Sequence, residues 1–271
     1  MDVDFKAPTD TRACIVADMV VLPSSNLLVA DFNNNSVKVI DVHTGHLFSY
    51  AQLPGDPRSL CLLPDDRAAV SLPFMRNIYI FDVSTAHINF LDSVDVERYC
   101  IGLAYMNDAF LAGFYEPQGA ILALINIKGN VLKSVSSNNA GKTLFNCPFC
   151  IRVTTENNAS SIYVSDFITR TITRLSEELK VLQWFQYSTQ PGPGGLVPAG
   201  AGQLLASDCT GLWVLDTNTG ERKKLLDVKH KDGNYCVAAR VAFCPRLERV
   251  YINFRYLADR ESDFINVYEI S

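Results

Sequence analysis

Residues 28–45 read LVADFNNNSVKVIDVHTG: a short apolar run, a polar turn, and then a run in which apolar and polar residues alternate. A similar order returns in residues 162–178 (IYVSDFITRTITRLSEE), 204–220 (LLASDCTGLWVLDTNTG) and 250–270 (VYINFRYLADRESDFINVYEI). Alternation with a period of two is typical of β-strands, and polar turns rich in Asn, Asp, Thr and Gly connect such strands. The chain is therefore predicted to consist of repeated units of β-sheet.

The repeat has a period of 40 to 55 residues. Its alternating runs end at six positions, separated by 41, 44, 50, 40 and 55 residues, and these positions are Asp41, Asp82, Asn126, Ser176, Asp216 and Ser271. Helical solenoids have a similar period, but few helix-length amphipathic segments occur here. Six units of this kind predict an all-β fold, a six-bladed β-propeller of four-stranded antiparallel blades.

The first unit indicates the strand order within a blade. Inner strand A is placed around residues 18–22, strand B at 27–31, strand C at 36–41 and outer strand D at 46–52. The sixth unit ends after its C strand. The N-terminal run DVDFKA (2–7) is therefore expected to supply the missing outer strand and close the ring, which removes two open sheet edges.

The whole chain, residues 1–271, is predicted to be a single propeller domain. Its blades are expected to cover approximately residues 13–54, 55–96, 97–142, 143–189, 190–231, and 232–271 plus 2–7.

The bulk properties favour a globular protein in a reducing compartment. The 271 residues are 48% hydrophobic and 20% charged, with a formal net charge of −5, and they contain no apolar run of the roughly 18 residues that a membrane span requires. The N-terminus lacks the pattern of a signal peptide, so a cytoplasmic location without a membrane partner is expected. The eight cysteines, including the pair in CPFC (147–150), are expected to be reduced and buried, because no second pair is near enough to complete a zinc site.

The units resemble NHL repeats, in which a D-P-x-G-x-I/L-Y-V-A-D segment is followed by a polar loop, an alternating strand and D-x-x-G. Residues 21–45 (VLPSSNLLVADFNNNSVKVIDVHTG) follow this pattern nearly throughout, and residues 160–175 and 202–220 follow it in part. Units two and three (AAVSLPFMRN, 68–77; FLAGFYEPQG, 110–119) lack the aspartate. WD-type repeats fit less well, since no Gly-His or Trp-Asp pair recurs. The resemblance implies a propeller like the C-terminal domain of tripartite-motif (TRIM) ubiquitin ligases, which binds substrate protein or RNA.

A polar residue followed by an aromatic residue recurs where strand B ends. The pairs are Asp31–Phe32, Asp166–Phe167 and Asn253–Phe254, with Gly113–Phe114 and Asp208–Cys209 as variants. In a closed ring these residues return at similar height on the face that carries the B-to-C and D-to-A connections, here termed the loop face. They form either a binding ring or a structural one, because an Asp at this point commonly accepts loop N–H groups and a Phe packs between blades.

Five arginines precede or enter the inner strands, and we term them the arginine collar: Arg12, Arg58, Arg98, Arg152 and Arg240. Several are expected to crowd the channel mouth on the loop face. Together with the segment VKHKDGNY (228–235) they predict a site for an anion or an acidic peptide. The alternative is that the arginines pair with Asp56, Asp95, Glu97 or the aspartates that end strand B.

Few residues suit catalysis. His43, His46 and His87 fall in C-to-D turns on the face opposite the loop face, no Ser or Cys nucleophile has a candidate His partner, and no phosphate- or dinucleotide-binding glycine motif occurs. The aspartates that end strand B would suit calcium in a metal-dependent hydrolase or lyase, but repetition of the fold explains them as well. We therefore expect no catalytic residues, no metal and no cofactor, and keep such an enzyme as the second alternative.

These features together indicate a non-catalytic module that binds a protein or acidic peptide on the loop face, with the isolated domain monomeric. RNA binding is the first alternative, since arginines interleaved with stacking aromatics are typical of RNA sites. The residues that suit it are Arg76, Arg170, Arg255, Arg260, Tyr115, Phe167 and Tyr256. The acidic net charge favours a protein partner.

Overall fold

Side chains of aspartate and asparagine shape the turns that follow the alternating runs. Asp41 Oδ1 accepts the backbone N–H groups of His43 (2.8 Å) and Thr44 (3.3 Å), and Gly45 follows in the left-handed region with φ 72°. The same kind of acceptor begins the turn in three other units, at Asp82, Asn126 and Asp216. Such Asx turns reverse the chain, so that the strands on either side pair antiparallel.

The structure, a computed structural model, describes residues 2–84, 87–117, 119–138, 140–156, 159–188, 192–200, 202–227, 236–256 and 264–269; for residues 2, 4, 156, 236–239, 254–256 and 264 it describes the backbone alone. Within these ranges, 24 strands form six separate four-stranded antiparallel sheets. The sheets are the blades of a β-propeller, which confirms the predicted fold class.

The strands follow one another in chain order. Strand β1 (Asp2–Asp4) precedes blade 1. Blade 1 contains β2 (Val16–Val21), β3 (Leu27–Asp31), β4 (Ser36–Ile40) and β5 (Leu47–Gln52). Blade 2 contains β6 (Leu60–Leu63), β7 (Arg67–Leu72), β8 (Asn77–Asp82) and β9 (Asn89–Asp95), with a 3-10 turn (Pro73–Met75) after β7. Blade 3 contains β10 (Cys100–Met106), β11 (Ala109–Phe114), β12 (Ile121–Asn126) and β13 (Val131–Val135).

The second half of the chain repeats the arrangement. Blade 4 contains β14 (Pro148–Glu156), β15 (Ala159–Asp166), β16 (Thr171–Leu175) and β17 (Val181–Gln186). Blade 5 contains β18 (Gly195–Gly200), β19 (Gln203–Asp208), β20 (Gly211–Asp216) and β21 (Arg222–Asp227). Blade 6 contains β22 (Cys236–Cys244), β23 (Arg249–Tyr256) and β24 (Phe264–Glu269).

The N-terminal strand closes the ring. Strand β1 pairs antiparallel with β24, with Val3 opposite Ile265, and so becomes the outer strand of blade 6. Each inner strand contacts the inner strands of the two neighbouring blades, and β22 of blade 6 contacts β2 of blade 1. These contacts confirm the predicted closure, in which both ends of the chain share one blade.

Apolar side chains fill the spaces between the blades. Between blades 6 and 1, for example, Phe5 and Met19 pack with Tyr251 and Ile265, and all four are buried. Blades 3 and 4 approach so closely that a Cβ on Gly113 would lie 2.6 Å from the carbonyl oxygen of Pro148. This close approach explains why unit three has a glycine one residue before the end of strand B. In the described part of the chain, no helix is long and apolar enough to cross a membrane.

Candidate binding site at the channel mouth

Four of the six inner strands begin at the loop face with an irregularity in their pairing. The register of β14 with β15 shifts between Pro148 and Cys150, and β2, β10 and β22 show the same shift at equivalent positions. A β-bulge of this kind adds one residue and re-aims its side chain. The added residue of β14 is Phe149, and its ring centroid lies 4.0 Å from the guanidinium of Arg240.

An ion pair joins the inner strands of opposite blades across the channel. Asp18 of β2 accepts from Arg152 Nη2 of β14 (2.9 Å), and it also accepts from Ser59 Oγ (3.0 Å) and the Leu60 N–H (2.9 Å) of blade 2. Burial by itself lowers the pKa of Arg152, but the charge of Asp18 outweighs it and holds the pKa above its usual value. Arg152 therefore pairs with a carboxylate, as the alternative interpretation of the arginine collar expects, but its partner is Asp18 and not one of the carboxylates predicted for that role.

Arg240 is 8% exposed and has no carboxylate partner within the described residues. Its Nη1 donates to the carbonyl oxygen of Gly194 (3.0 Å), and its Nε donates to the carbonyl oxygen of Ala17. Burial lowers the pKa of the guanidinium to about 10, against the opposing charge of Asp18, so that Arg240 remains charged at neutral pH. A buried cation is thus held by carbonyl dipoles and one aromatic ring.

Arg58 is half-buried just before β6, and its guanidinium lies 4.6 Å from the centroid of the Phe32 ring. Its Nε is buried without a hydrogen-bond partner, and no ion pair involves its side chain in the described part of the structure. The charge of Arg58 acts on Arg240, and the charges of both act on the thiol of Cys147. We define the channel mouth as Arg58, Arg240, Phe32 and Phe149.

The remaining collar arginines lie elsewhere on the loop face. Arg98 is exposed, with its guanidinium 6.0 Å from the ring centroid of Phe114, a core residue that is 1% exposed. Arg12 is exposed, and its backbone exchanges hydrogen bonds with the side chain of Asn34. The structure brings Arg58, Arg152 and Arg240 together, whereas no described contact joins Arg12 or Arg98 to them.

The later halves of the inner strands enclose an apolar cavity of about 270 Å³. All six blades contribute to its wall, with residues such as Leu62, Ile151 and Val197. Arg152 is the charged residue of the described lining, and Asp18 already pairs with it. A charged ligand is therefore better accommodated at the mouth than inside the channel.

The aspartates that end strand B hold the loops together. Asp166 Oδ2 accepts two N–H groups of the connection into β14 (2.6 and 2.8 Å), and its Oδ1 accepts two from the loop after β15 (3.0 and 2.8 Å). Asp208 Oδ1 accepts the N–H groups of Thr210 (2.7 Å) and Gly211 (3.1 Å). These contacts support the structural alternative for Asp166 and Asp208, because Asp166 accepts N–H groups through both oxygens and Asp208 accepts them through Oδ1.

Asp31 belongs to a buried ion cluster in blade 1. The ammonium of Lys38 lies 2.6 Å from Asp31 Oδ2, 2.5 Å from Asp10 Oδ2 and 3.3 Å from Cys14 Sγ, and the Lys38 side chain is fully buried. Burial by itself raises the pKa of Asp31, but hydrogen bonds from Lys38 and Asn34 outweigh it and the pKa lies below its usual value. Burial likewise lowers the pKa of Lys38, and the bonds to Asp10 and Asp31 raise it further than burial lowers it.

The same cluster contains three potential metal ligands whose ligand atoms all lie within 4.8 Å of one another, those of Asp10, Cys14 and Asp31. The ammonium of Lys38 already supplies a cation to both carboxylates. The cluster is therefore a buried ion network of the protein itself rather than a vacant metal centre.

The predicted ring of phenylalanines is only partly assembled. Phe167 is half-buried and packs 5.8 Å from Phe149, between ring centroids. The side chain of Phe254 lies outside the described residues, as do segment 228–235 and Arg260. Strand β23 continues to Tyr256, which pairs with Cys236 as Asp31 pairs with Val16. The blade-6 position equivalent to Asp31 is therefore Tyr256 and not Asn253, because the alternating sequence runs on for three more residues.

No disulfide joins the described thiols, and Cys147 is the partly exposed one among them. Burial, with the charge of Asp166, raises its pKa to about 11, against the opposing charges of Arg58 and Arg240. A thiol that stays protonated at neutral pH is a poor nucleophile. The CPFC segment forms the connection and bulge at the start of β14, in agreement with its interpretation as part of an inner strand.

Three residues at or beside the channel mouth were not predicted from the sequence patterns. Asp18 is a lone charge in the apolar strand VADMVV, and such a residue inside a core strand is a usable signal for a buried pair. Phe149 can be recognised as a residue of the channel mouth only from the bulge at the start of β14. Tyr99, next to Arg98, contacts the exposed ring of Phe74, and neither of these aromatics belongs to the repeat pattern.

No family model matches this sequence, and no curated protein matches it. Solved structures do match. The β-propeller domain of Cps50 (Swd1) from Myceliophteria thermophila is 14% identical, with a TM-score of 0.63 over 94% of this chain and 84% of that chain. A protein of unknown function from Bacteroides caccae is 14% identical (TM-score 0.62; 88% and 85% covered), and the WD40 β-propeller domain of Doa1 is 12% identical (TM-score 0.58; 98% and 86% covered). At these identities the similarity establishes the propeller fold alone.

Proposed function

We propose that this chain is a non-catalytic recognition module that binds an acidic segment of a partner protein at the channel mouth. The observation that carries the proposal is the pair Arg58 and Arg240, which lie at one opening without a carboxylate partner in the described residues. Their guanidinium groups rest on Phe32 and Phe149. Arginines held in this way are suited to carboxylate or phosphate groups supplied from outside.

The surroundings of the mouth favour a protein over RNA. Glu97 and Glu116 line the loop face beside Tyr115, and neither forms an ion pair in the part of the chain that the structure describes. A nucleic-acid backbone needs a broad positive surface, whereas carboxylates here alternate with arginines. A short acidic peptide places its charge only at the mouth and avoids this repulsion.

The resemblance to NHL repeats supports a finer proposal about the partner. NHL domains of TRIM ubiquitin ligases choose the substrate, and we assign the equivalent role, substrate recruitment, to this propeller. The similarity to a WD40 propeller domain is consistent with recognition of proteins in general. A hydrolase or lyase is disfavoured, because the carboxylates that end strand B already accept several N–H groups each.

The test is direct binding of a defined acidic peptide. Fluorescein-labelled octaglutamate, followed by fluorescence anisotropy, is expected to bind the wild-type chain with an affinity that falls as salt is raised. Arg58→Gln is expected to weaken binding about tenfold. Arg67→Gln is the matched control, because Arg67 begins β7 at the opposite end of the blade, next to Asp65.

Equal affinities of wild type and Arg58→Gln for octaglutamate would contradict the proposal. A labelled 12-residue oligouridine serves as the second probe. Tighter binding of oligouridine than of octaglutamate would make RNA the ligand class.

A further inference from the structure

Beside the channel mouth, the loop face carries a cleft of about 410 Å³ that we term the aromatic cleft: Phe74, Tyr99, Tyr115 and Pro117. The ring of Phe74 meets that of Tyr99 at 88°, with the centroids 4.9 Å apart, so that the two rings form a corner. Phe74 is 66% exposed and Tyr115 is 46% exposed. Several large aromatic side chains exposed together on one face indicate a site that a partner covers.

The cleft is held by backbone hydrogen bonds. Pro73 begins the 3-10 turn that presents Phe74, and the Arg76 N–H donates back to the Pro73 carbonyl oxygen (3.1 Å). The Tyr115 N–H donates to the Tyr99 carbonyl oxygen (3.0 Å), which joins the loop of blade 3 to the connection from blade 2. The aromatic walls are therefore preformed, which reduces the entropic cost of binding.

The cleft adjoins the channel mouth through Tyr99. This residue directly precedes the inner strand of blade 3, and the Arg58 N–H at the mouth donates to the Ser71 carbonyl oxygen (2.9 Å), two residues before the 3-10 turn that presents Phe74. One extended ligand can therefore contact both places. The cleft is also lined by two arginines and two glutamates, Arg76, Arg98, Glu97 and Glu116, so that its charges balance. The mouth carries Arg58 and Arg240 without a carboxylate partner in the described residues, so the acidic part of such a ligand is directed to the mouth.

We propose that the aromatic cleft binds a proline-rich stretch that adjoins the acidic segment of the partner; this inference rests on the proposed function. A proline-rich chain adopts the polyproline II helix, which has no internal hydrogen bonds and loses little entropy on binding. Its rings pack on aromatic walls, and its free carbonyl groups accept from hydroxyl donors. Tyr99 and Tyr115 offer both the ring and the hydroxyl.

The ligand class that follows is a short segment with prolines next to glutamates or aspartates. Phe74, Tyr99 and Tyr115 would contact the prolines, and Arg58 and Arg240 the carboxylates. Placement of the acidic residues beside the prolines, rather than among them, is expected because the charges that line the cleft balance, whereas the mouth carries arginines without a carboxylate partner in the described residues.

The experiment compares labelled peptides of six prolines and four glutamates, in both orders, with peptides in which serines replace the prolines. The better proline peptide is expected to bind wild type about tenfold more tightly than its serine counterpart. Phe74→Ser and Tyr115→Ser are each expected to remove most of this difference, and Phe48→Ser is the matched control, an exposed Phe on the outer strand of blade 1. Circular dichroism confirms that each variant is folded.

The outcomes separate the two proposals. Equal affinities for the proline and serine peptides, both dependent on Arg58, would overturn the aromatic cleft inference and leave the proposed function intact. Loss of the proline preference in Phe48→Ser but not in Phe74→Ser would also overturn it. A preference for six prolines next to four lysines would overturn the assigned ligand class. Failure of all these peptides and of octaglutamate to bind would remove both proposals.

Discussion

Positive charge has different partners in two regions of the molecule: the buried ion cluster of Lys38, Asp10, Asp31 and Cys14, here termed the Lys38 cluster, and the channel mouth. Lys38 is fully buried and lies within 2.6 Å of two carboxylate oxygens, those of Asp10 and Asp31. Arg240 is also buried and Arg58 is half-buried, yet each guanidinium lies against an aromatic ring, and Arg240 donates to carbonyl oxygens instead of carboxylates. In the first region the carboxylates of the protein neutralise the cation. In the second region the cations retain the capacity to bind an anion from outside.

This difference separates stability from recognition. A buried ion cluster ties its strands to one arrangement. Removal of any member lowers stability, because it leaves the other charges buried and uncompensated. An arginine without a carboxylate adds little to stability, but it is preorganised for a ligand. Substitutions in the two regions should therefore affect different measurements.

Lys38→Met is expected to have the largest effect on stability. It leaves the carboxylates of Asp10 and Asp31 buried without a cation, and the loss in the free energy of unfolding should be about 3 to 5 kcal/mol. Urea-induced unfolding followed by tryptophan fluorescence measures it, with the exposed Lys128→Met as the control. A loss no larger than that of the control would contradict the structural role of the cluster.

Asp18→Asn is expected to cost about 2 to 3 kcal/mol, less than Lys38→Met because the pair with Arg152 borders the open channel. The neutral side chain leaves Arg152 uncompensated near Arg240. The double variant Asp18→Asn/Arg152→Met should regain part of this stability in the same urea experiment. A double variant less stable than Asp18→Asn alone would show that the packing of Arg152, and not its charge, dominates.

The contribution of Asp31 to stability is expected to depend on pH. Its pKa in the folded state lies below the usual value of 3.8, so its stabilising contribution is complete at pH values above 3.8 and is lost as the pH falls through the folded pKa. The difference in unfolding free energy between wild type and Asp31→Asn should therefore shrink in strongly acidic buffer. A difference that stays constant from pH 7 to pH 2 would contradict the assigned ion pair.

Arg58→Gln is expected to change the free energy of unfolding by less than about 1 kcal/mol. Its guanidinium forms no ion pair in the described residues, and its Nε is buried without an acceptor, so little is lost when it is removed. The same variant should bind octaglutamate more weakly. A large loss of stability together with unchanged binding would show that Arg58 has a structural role like that of Lys38. It would contradict the proposed difference between the two regions.

The repeat of β-strands was accessible from the sequence, because alternation and Asx turns are local properties. The closure by β1 was accessible for the same reason, since unit six visibly lacked an outer strand. The alignment of Asn253 with Asp31 was wrong by three residues, because nothing local marks the end of strand B in blade 6. The carboxylate partner of Arg152 was also out of reach, since Asp18 lies in the opposite blade, 134 residues away in the chain.

The sequence by itself determined the all-β class, the six units and the loop face, since each follows from contacts between residues close together in the chain. Only the tertiary structure decided which arginines are paired and which remain available. Electrostatic pairing depends on distances of a few ångströms across the channel, and these are set by how six blades pack around one axis rather than by any single repeat.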